Sequence, residues 1–411
     1  MKEITFIHTA DLHLDSPFLG LSHLSKDLYS RIQESTFTAF KKVIDTALDR
    51  DVDFLIIVGD LFDGEDRSIK AQARLRKQLE RLQAKDIAVF ISHGNHDHLS
   101  GNWLTLDFPA NTYVFGERVE MIPYKTKSGI TVHLYGFSYP ERHVMDRKVI
   151  DYEKLAGADL HIGLLHGQNE GEKSQHHPYA PFSINELQQK GMDYWALGHI
   201  HKTQILHTDP PIIYPGNIQG RHRNETGKKG CYEVKLSLQG ECQWEFIETA
   251  DIRWESCLIE LQQSVSLTEL YTYCLKELQA QSQYDWQGKL LEIKILNAEY
   301  VSEEVKQKFE NGEFLEMLQD QVVDERKFVW PYAVTLEMKR TNVKNIEYNE
   351  SFLKMIDQSA DTLVHSQAFD EAISGLFSHK YGSRYVEPLN ESEKEVLSDE
   401  AIALVIQQLE K

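Results

Sequence analysis

The chain has 411 residues, 41% hydrophobic and 26% charged, with 44 Lys and Arg against 64 Asp and Glu for a formal charge of −20. That length supports a sizeable core and predicts two domains, or one large domain with an appendage. The acidity argues against non-specific coating of nucleic acid by a basic surface, and no apolar run of about 18 residues offers a membrane span.

In chain order, "ITFIHT" (4–9) reads as a buried strand, and the N-terminus "MKEITFIHTADLHLD" lacks the pattern of a secretory signal, so a cytoplasmic location is expected. The stretch that follows, to Arg50, reads as helix, with Phe37, Phe40, Ile44 and Leu48 at helical spacing. "FLIIVGD" (54–60) predicts a second strand, "AQARLRKQLERLQ" a helix and "IAVFISHGNHD" a third strand with its turn. Further strands are predicted at 131–137, 159–167, 193–201 and 231–236. This alternation predicts an α/β layered fold over residues 1–250, a layered β-sandwich flanked by helices.

From about residue 256 to 340 the pattern becomes strand, helix, strand, helix, strand, which predicts a smaller α+β capping domain. "TNVKNIEYNE" reads as a linker, and residues 350–411 read as a helical C-terminal segment. There Ser392 and Glu395 fit a capping box, and Ile402, Val405, Ile406 and Leu409 form an apolar stripe. Of the net charge, residues 1–250 carry −6 and residues 251–411 carry −14; "RHRNETGKKG" (221–230) is the one clear basic cluster of the first part. Cys231, Cys242, Cys257 and Cys274 form no C-x-x-C pair, which argues against a zinc ribbon or a disulfide framework.

Five predicted strands end in polar clusters. These are "DLHLD" with Asp11 and His13, "GDLFD" with Asp60 and Asp63, "GNHDH" with Asn95, His96 and Asp97, "LLHG" with His166, and "GHIH" with His199 and His201. Any one alone fits a turn, a cap or a satisfied core histidine equally well. Together, at the carboxyl ends of strands in one α/β sheet, they are expected to converge. On an extended strand His199 and His201 would share a face. An Asp, His and Asn shell without cysteine favours Mn²⁺, Fe²⁺ or Zn²⁺, and seven candidate ligands suit two ions, about 4 Å apart, better than one.

D-x-H, GD, GNHD, H and GHxH in this order resemble the signature of the calcineurin-like metallophosphoesterases. The opening "DLHLDSP" and the "YPGN" after "GHIHK" are similar to the SbcD-type DNA repair nucleases, most of all to their YhaO branch. The resemblance covers roughly residues 1–225. It implies one metal held by Asp11, His13, Asp60 and His201, and a second held by Asp60, Asn95, His166 and His199. Two Mn²⁺ ions would activate water and offset charge on the phosphate. His96 would protonate the leaving oxygen, and Asp97 would orient a neighbouring imidazole. Asn217, Arg221 and Arg223, in and after "YPGNIQGRH", are expected to contact the substrate backbone. One departure stands out: where some members have a histidine three residues after the bridging Asp, this chain has Asp63, which leaves the exonuclease mode open.

The resemblance implies a DNA exonuclease or endonuclease acting as a homodimer with an SbcC-like coiled-coil ATPase, docked through the C-terminal stripe. Two alternatives stay open: a phosphoesterase for phosphoproteins or cyclic nucleotides, and a scaffolding subunit of an ATPase complex.

Overall fold

The apolar runs of the first hundred residues become three parallel strands, β1 (Glu3–Ala10), β2 (Phe54–Val58) and β3 (Ala88–Ser92). The computed structural model describes residues 2–18, 21, 24–63, 68–101, 106–170, 179–282, 287–322 and 327–338, with parts of 355–401. β4 (Thr112–Val114) pairs parallel with β3, while β11 (Gly230–Ser237) and β12 (Cys242–Glu248) continue the sheet antiparallel beyond β1.

A second six-stranded sheet centres on β6 (Thr131–Gly136), β7 (Leu160–His166) and β8 (Tyr194–Gly198), all parallel. β5 (Glu120–Lys125) closes one edge, and β10 (Pro211–Tyr214) with β9 (Gln204–Thr208) closes the other.

Side-chain alternation explains why the central strands are apolar throughout. Phe6, Phe54, Ile56, Val58 and Phe90 join Leu134, Ile162, Leu164 and Ala196 in one core that both sheets supply. Ile7, Leu55, Ile57, Val89 and Ile91 face the other way, onto α2 (Ser35–Asp49) and α3 (Ile69–Gln83). The helix predicted up to Arg50 divides at Glu34 into α1 (Lys26–Gln33) and α2, and Ser25 caps the first of them. Trp195, Leu197, Ile212 and Tyr214 fill a third cluster on the far side of the second sheet, joined by Leu187 of α4 (Ile184–Gln189). The layered sandwich with flanking helices is therefore as expected. Phe54 stacks on Phe6 at 5.1 Å and meets Phe90 edge-on at 5.6 Å between the layers. Replacing it by Ala is expected to cost about 3–5 kcal/mol of unfolding free energy in urea titrations; a loss below about 1 kcal/mol would contradict this packing.

Residues beyond 250 form β13 (Ile252–Glu260), β14 (Gly288–Leu296) and β15 (Phe328–Glu337) in a three-stranded sheet, with α5 (Leu267–Ser282), α6 (Glu303–Glu310) and α7 (Glu313–Gln319). The second helix expected in this stretch divides at Gly312, whose φ is +81°. One compact unit takes in residues 1–259, 266–294 and 303–335, so it runs through the boundary expected at 250–256. The reason is apolar: Ile252, Trp254, Leu290 and Phe328 pack with Phe18, Leu28 and Ile32 of the N-terminal part. The second unit comprises residues 260–265, 295–302 and 336–411 and includes α8 (Gln367–Ser378).

All four cysteines are free, and burial pushes each thiol up to about 12, which leaves them unreactive. Among the described residues no helix is long and apolar enough to cross a membrane.

Candidate metal centre

β1, β2, β3, β7 and β8 all end at the same edge of the sandwich, and the loops beyond them carry the polar clusters. Parallel hydrogen bonding continues past the strand ends: Asp11 N donates to Gly59 O, His13 N to Asp60 O and Gly59 N to Ser92 O. These bonds hold the loops in a conformation that side chains resist. Asp11, His13, Asp60 and His199 have φ of 49°, 41°, 49° and 99°, all in the left-handed region. β8 ends at Gly198, so His199 and His201 lie in a loop and the expected strand alternation does not place them. Instead His199 N donates to both carboxylate oxygens of Asp11, at 3.1 and 3.0 Å, which turns the chain.

Asp11, His13, Asp60 and His201 come together, with ligand atoms all within 4.8 Å of one another. His13 Nε2 lies 3.0 Å from His201 Nε2 and 3.7 Å from Asp60 Oδ2. The Nδ1 of His201 sits 2.6 Å from Glu225 Oε1, an acceptor, so that nitrogen carries the proton and Nε2 presents a lone pair. Beside this set, His166 Nε2 lies 3.1 Å from Asn95 Oδ1 and 3.6 Å from Asp60 Oδ2. His166 Nδ1 donates to Val58 O at 3.2 Å, which again turns a bare nitrogen toward oxygens. Acceptors that converge in this way are held together by protons on the carboxyls or by a cation among them, and a hard or borderline divalent ion suits this donor set. His199 is placed differently: its ring packs edge-on against His166 at 5.2 Å and tilted against Tyr179 at 5.2 Å.

The electrostatics agree with that fit. Burial, then repulsion from Asp60, raises Asp11 well above the usual carboxylate range, and burial raises Asp60 to about 7. Burial likewise lowers His166 to about 4 and pushes His13 and His199 well below the ordinary imidazole value. Buried acids that resist ionising and imidazoles that resist protonation are both relieved by a bound cation.

Of the other expected residues, Asp97 accepts from His93 Nδ1 at 2.9 Å, Leu61 N at 3.0 Å and Gly94 N at 2.7 Å, so it fixes two ligand loops as well as an imidazole. His96 is 30% exposed at the mouth, and its backbone N–H donates to Asp60 Oδ1 at 2.9 Å. Asp63, the departure noted in the sequence, lies 3.4 Å from both His13 Nδ1 and His96 Nδ1 and pairs with Arg221 at 3.0 Å. Burial would raise it, but the neighbouring His13 and the Arg221 charge prevail and lower it. Asn217 needs correction as a substrate contact: it is fully buried, and its Nδ2 donates to Glu225 Oε2 and Gln219 O. Arg221 is mostly buried in ion pairs, whereas Arg223 is exposed and its charge reaches the Tyr332 phenol. Glu225 was not expected at the site, because its loop reads as basic.

The calcineurin-like phosphoesterase family pattern matches residues 4–203. Metallophosphoesterase YhaO of Bacillus subtilis (strain 168) is 36% identical over 415 residues, covering 100% of this chain and 98% of its own length. The chain belongs to the calcineurin-like phosphoesterases. This phosphoesterase is also similar to proteins described as DNA double-strand break repair protein Mre11. The one from Thermoplasma acidophilum is 26% identical over 263 residues, 60% of this chain and 66% of its own. The one from Archaeoglobus fulgidus is 27% identical over 310 residues, 70% of this chain and 64% of its own. The phosphoesterase is thus a hydrolase of a family that works with divalent metal ions, as the ordered motifs predicted.

Proposed function

We propose that this phosphoesterase is a DNA nuclease that hydrolyses phosphodiester bonds with two divalent ions, Mn²⁺ by preference, and works in DNA repair in the cytoplasm. The observation that carries the reading is the reach of the Mre11 similarity: an alignment over 70% of the chain against a family pattern that ends at residue 203. The likeness extends past the part shared with phosphoesterases of every substrate class. Asp11, His13, Asp60 and His201 would hold one ion, and Asp60, Asn95, His166 and His199 the other. When bound, such ions lower the pKa of water and offset charge on the phosphate. His96, with Nδ1 toward Asp63, would protonate the leaving oxygen through Nε2. Asp97 holds the loops of Asp60 and Asn95 in register. Arg223 offers a cation to the substrate backbone.

A homodimer working with an SbcC-like coiled-coil ATPase belongs to the same proposal. The stripe assigned to docking, Ile402, Val405, Ile406 and Leu409, and the capping pair Ser392 and Glu395, lie outside the described residues.

End-labelled linear double-stranded DNA and a chromogenic phosphodiester, each incubated with the protein and Mn²⁺, test the reading. DNA cleavage that disappears in Asp60→Ala supports it. Turnover of the chromogen with DNA untouched, alone and with the ATPase added, would assign another phosphoester class, and silence on both would favour a scaffold.

A further inference from the structure

Behind the two imidazoles that face each other at 3.0 Å, His13 and His201, stand two carboxylates. Asp63 Oδ1 lies 3.4 Å from His13 Nδ1, an ion-pair contact rather than a hydrogen bond, and Glu225 Oε1 hydrogen-bonds His201 Nδ1 at 2.6 Å. One guanidinium joins them: Arg221 Nη1 is 3.0 Å from Asp63 Oδ1, and Nη2 is 3.3 Å from Glu225 Oε1. The backbone N–H of Arg221 also donates to Glu225 Oε2 at 2.7 Å, and Asn217 Nδ2 adds a bond to the same oxygen at 2.8 Å. The result is a closed ring of five side chains around one edge of the metal position.

We propose that Arg221 is a positioning residue for that metal position: by bridging Asp63 and Glu225, it fixes the carboxylates that orient His13 and His201. The chemistry follows from general properties of metal-ligating histidine. A carboxylate on the outer ring nitrogen sets the tautomer and raises ligand basicity. Two such carboxylates close together repel, and a planar fork with two separate N–H directions holds both at once, as a single ammonium does not. His13 and His201 are 188 residues apart in the chain, so the ring also joins the ends of the first and second sheets. Arg221 is only 12% exposed and both of its Nη groups are already engaged, which argues against the backbone contact expected from the sequence. This inference rests on the metal reading of Asp11, His13, Asp60 and His201, and not on DNA as substrate.

Calorimetric titration of the full chain with Mn²⁺, in an Asn95→Ala background that weakens the neighbouring position, tests it. Arg221→Ala is expected to weaken Mn²⁺ binding about 10- to 100-fold, and Arg221→Lys to fail to restore it. Undiminished affinity in Arg221→Ala, or full restoration by Lys, overturns the proposal. Should Arg221→Ala not fold, Asp63→Asn and Glu225→Gln each cut one arm of the bridge. Weaker binding in both supports it, and unchanged binding in either overturns it. A parent protein that binds no Mn²⁺ would instead refute the metal reading itself, so the two failures are distinguishable.

Discussion

Asp60→Asn will raise the melting temperature of the metal-free protein at pH 8 while lowering phosphoester hydrolysis by about 10³-fold or more. Burial raises this acid from 3.8 to about 7 in the folded chain. Below pH 4 folded and unfolded chains both hold the proton. Between 4 and 7 the folded chain alone holds it, and above 7 the folded chain must carry a buried charge. The contribution to stability is therefore full at acid pH and lost as pH rises through 7, a change on the order of a few kcal/mol. Asn keeps an oxygen for the His96 N–H and never ionises, so its advantage should grow from pH 5 to pH 8 by several degrees. Saturating Mn²⁺ should reverse the ranking, since only the aspartate supplies charge to an ion. Differential scanning calorimetry in chelator and in Mn²⁺ across that pH range reads all of this. A pH-independent difference between the two proteins would refute the account.

Gly59→Ala will cost about 3 kcal/mol or more, and the part of that cost owed to the collision with His166 will vanish when His166 is also replaced by Ala. Gly59 has φ of +77°, and a Cβ added there would lie 2.0 Å from His166 Nδ1. The left-handed backbone accounts for about 1–2 kcal/mol with any L side chain. The remainder is the collision, which disturbs the bond from His166 to Val58 O and with it the direction of Nε2. Denaturant titrations of the two single variants and the double variant separate these terms. Additive losses would mean that the imidazole gives way freely and that its position is not enforced.

Much of this architecture was legible because both faces of the central strands are buried. Runs such as "FLIIV" and "IAVFIS" have no alternative in an α/β chain, and the motif residues follow directly from their ends. β4, β5, β9, β10 and β12 were missed because they are short or half-exposed at or beside sheet edges, where the apolar signal thins. The pair in "GHIH" was read through strand alternation, but the strand ends one residue earlier and a backbone φ of 99° sets the geometry of His199. Glu225 was hidden by its neighbours, since a lone acid in "RHRNETGKKG" looks like solvated surface. Its partner His201 is 24 residues away, a relation that only the folded loop reveals.

The hydrogen bonds that run on past the parallel strands, from Asp11 to Gly59 and from Gly59 to Ser92, have a bearing on the route by which the chain folds. Each joins segments dozens of residues apart, and His13 must still meet a residue 188 positions away. Loop closure of that kind is entropically slow and brings no return until the strands on both sides are in place. The centre is therefore expected to form late in folding, and an ion that binds only there should chiefly slow unfolding, which unfolding rates with and without Mn²⁺ would check.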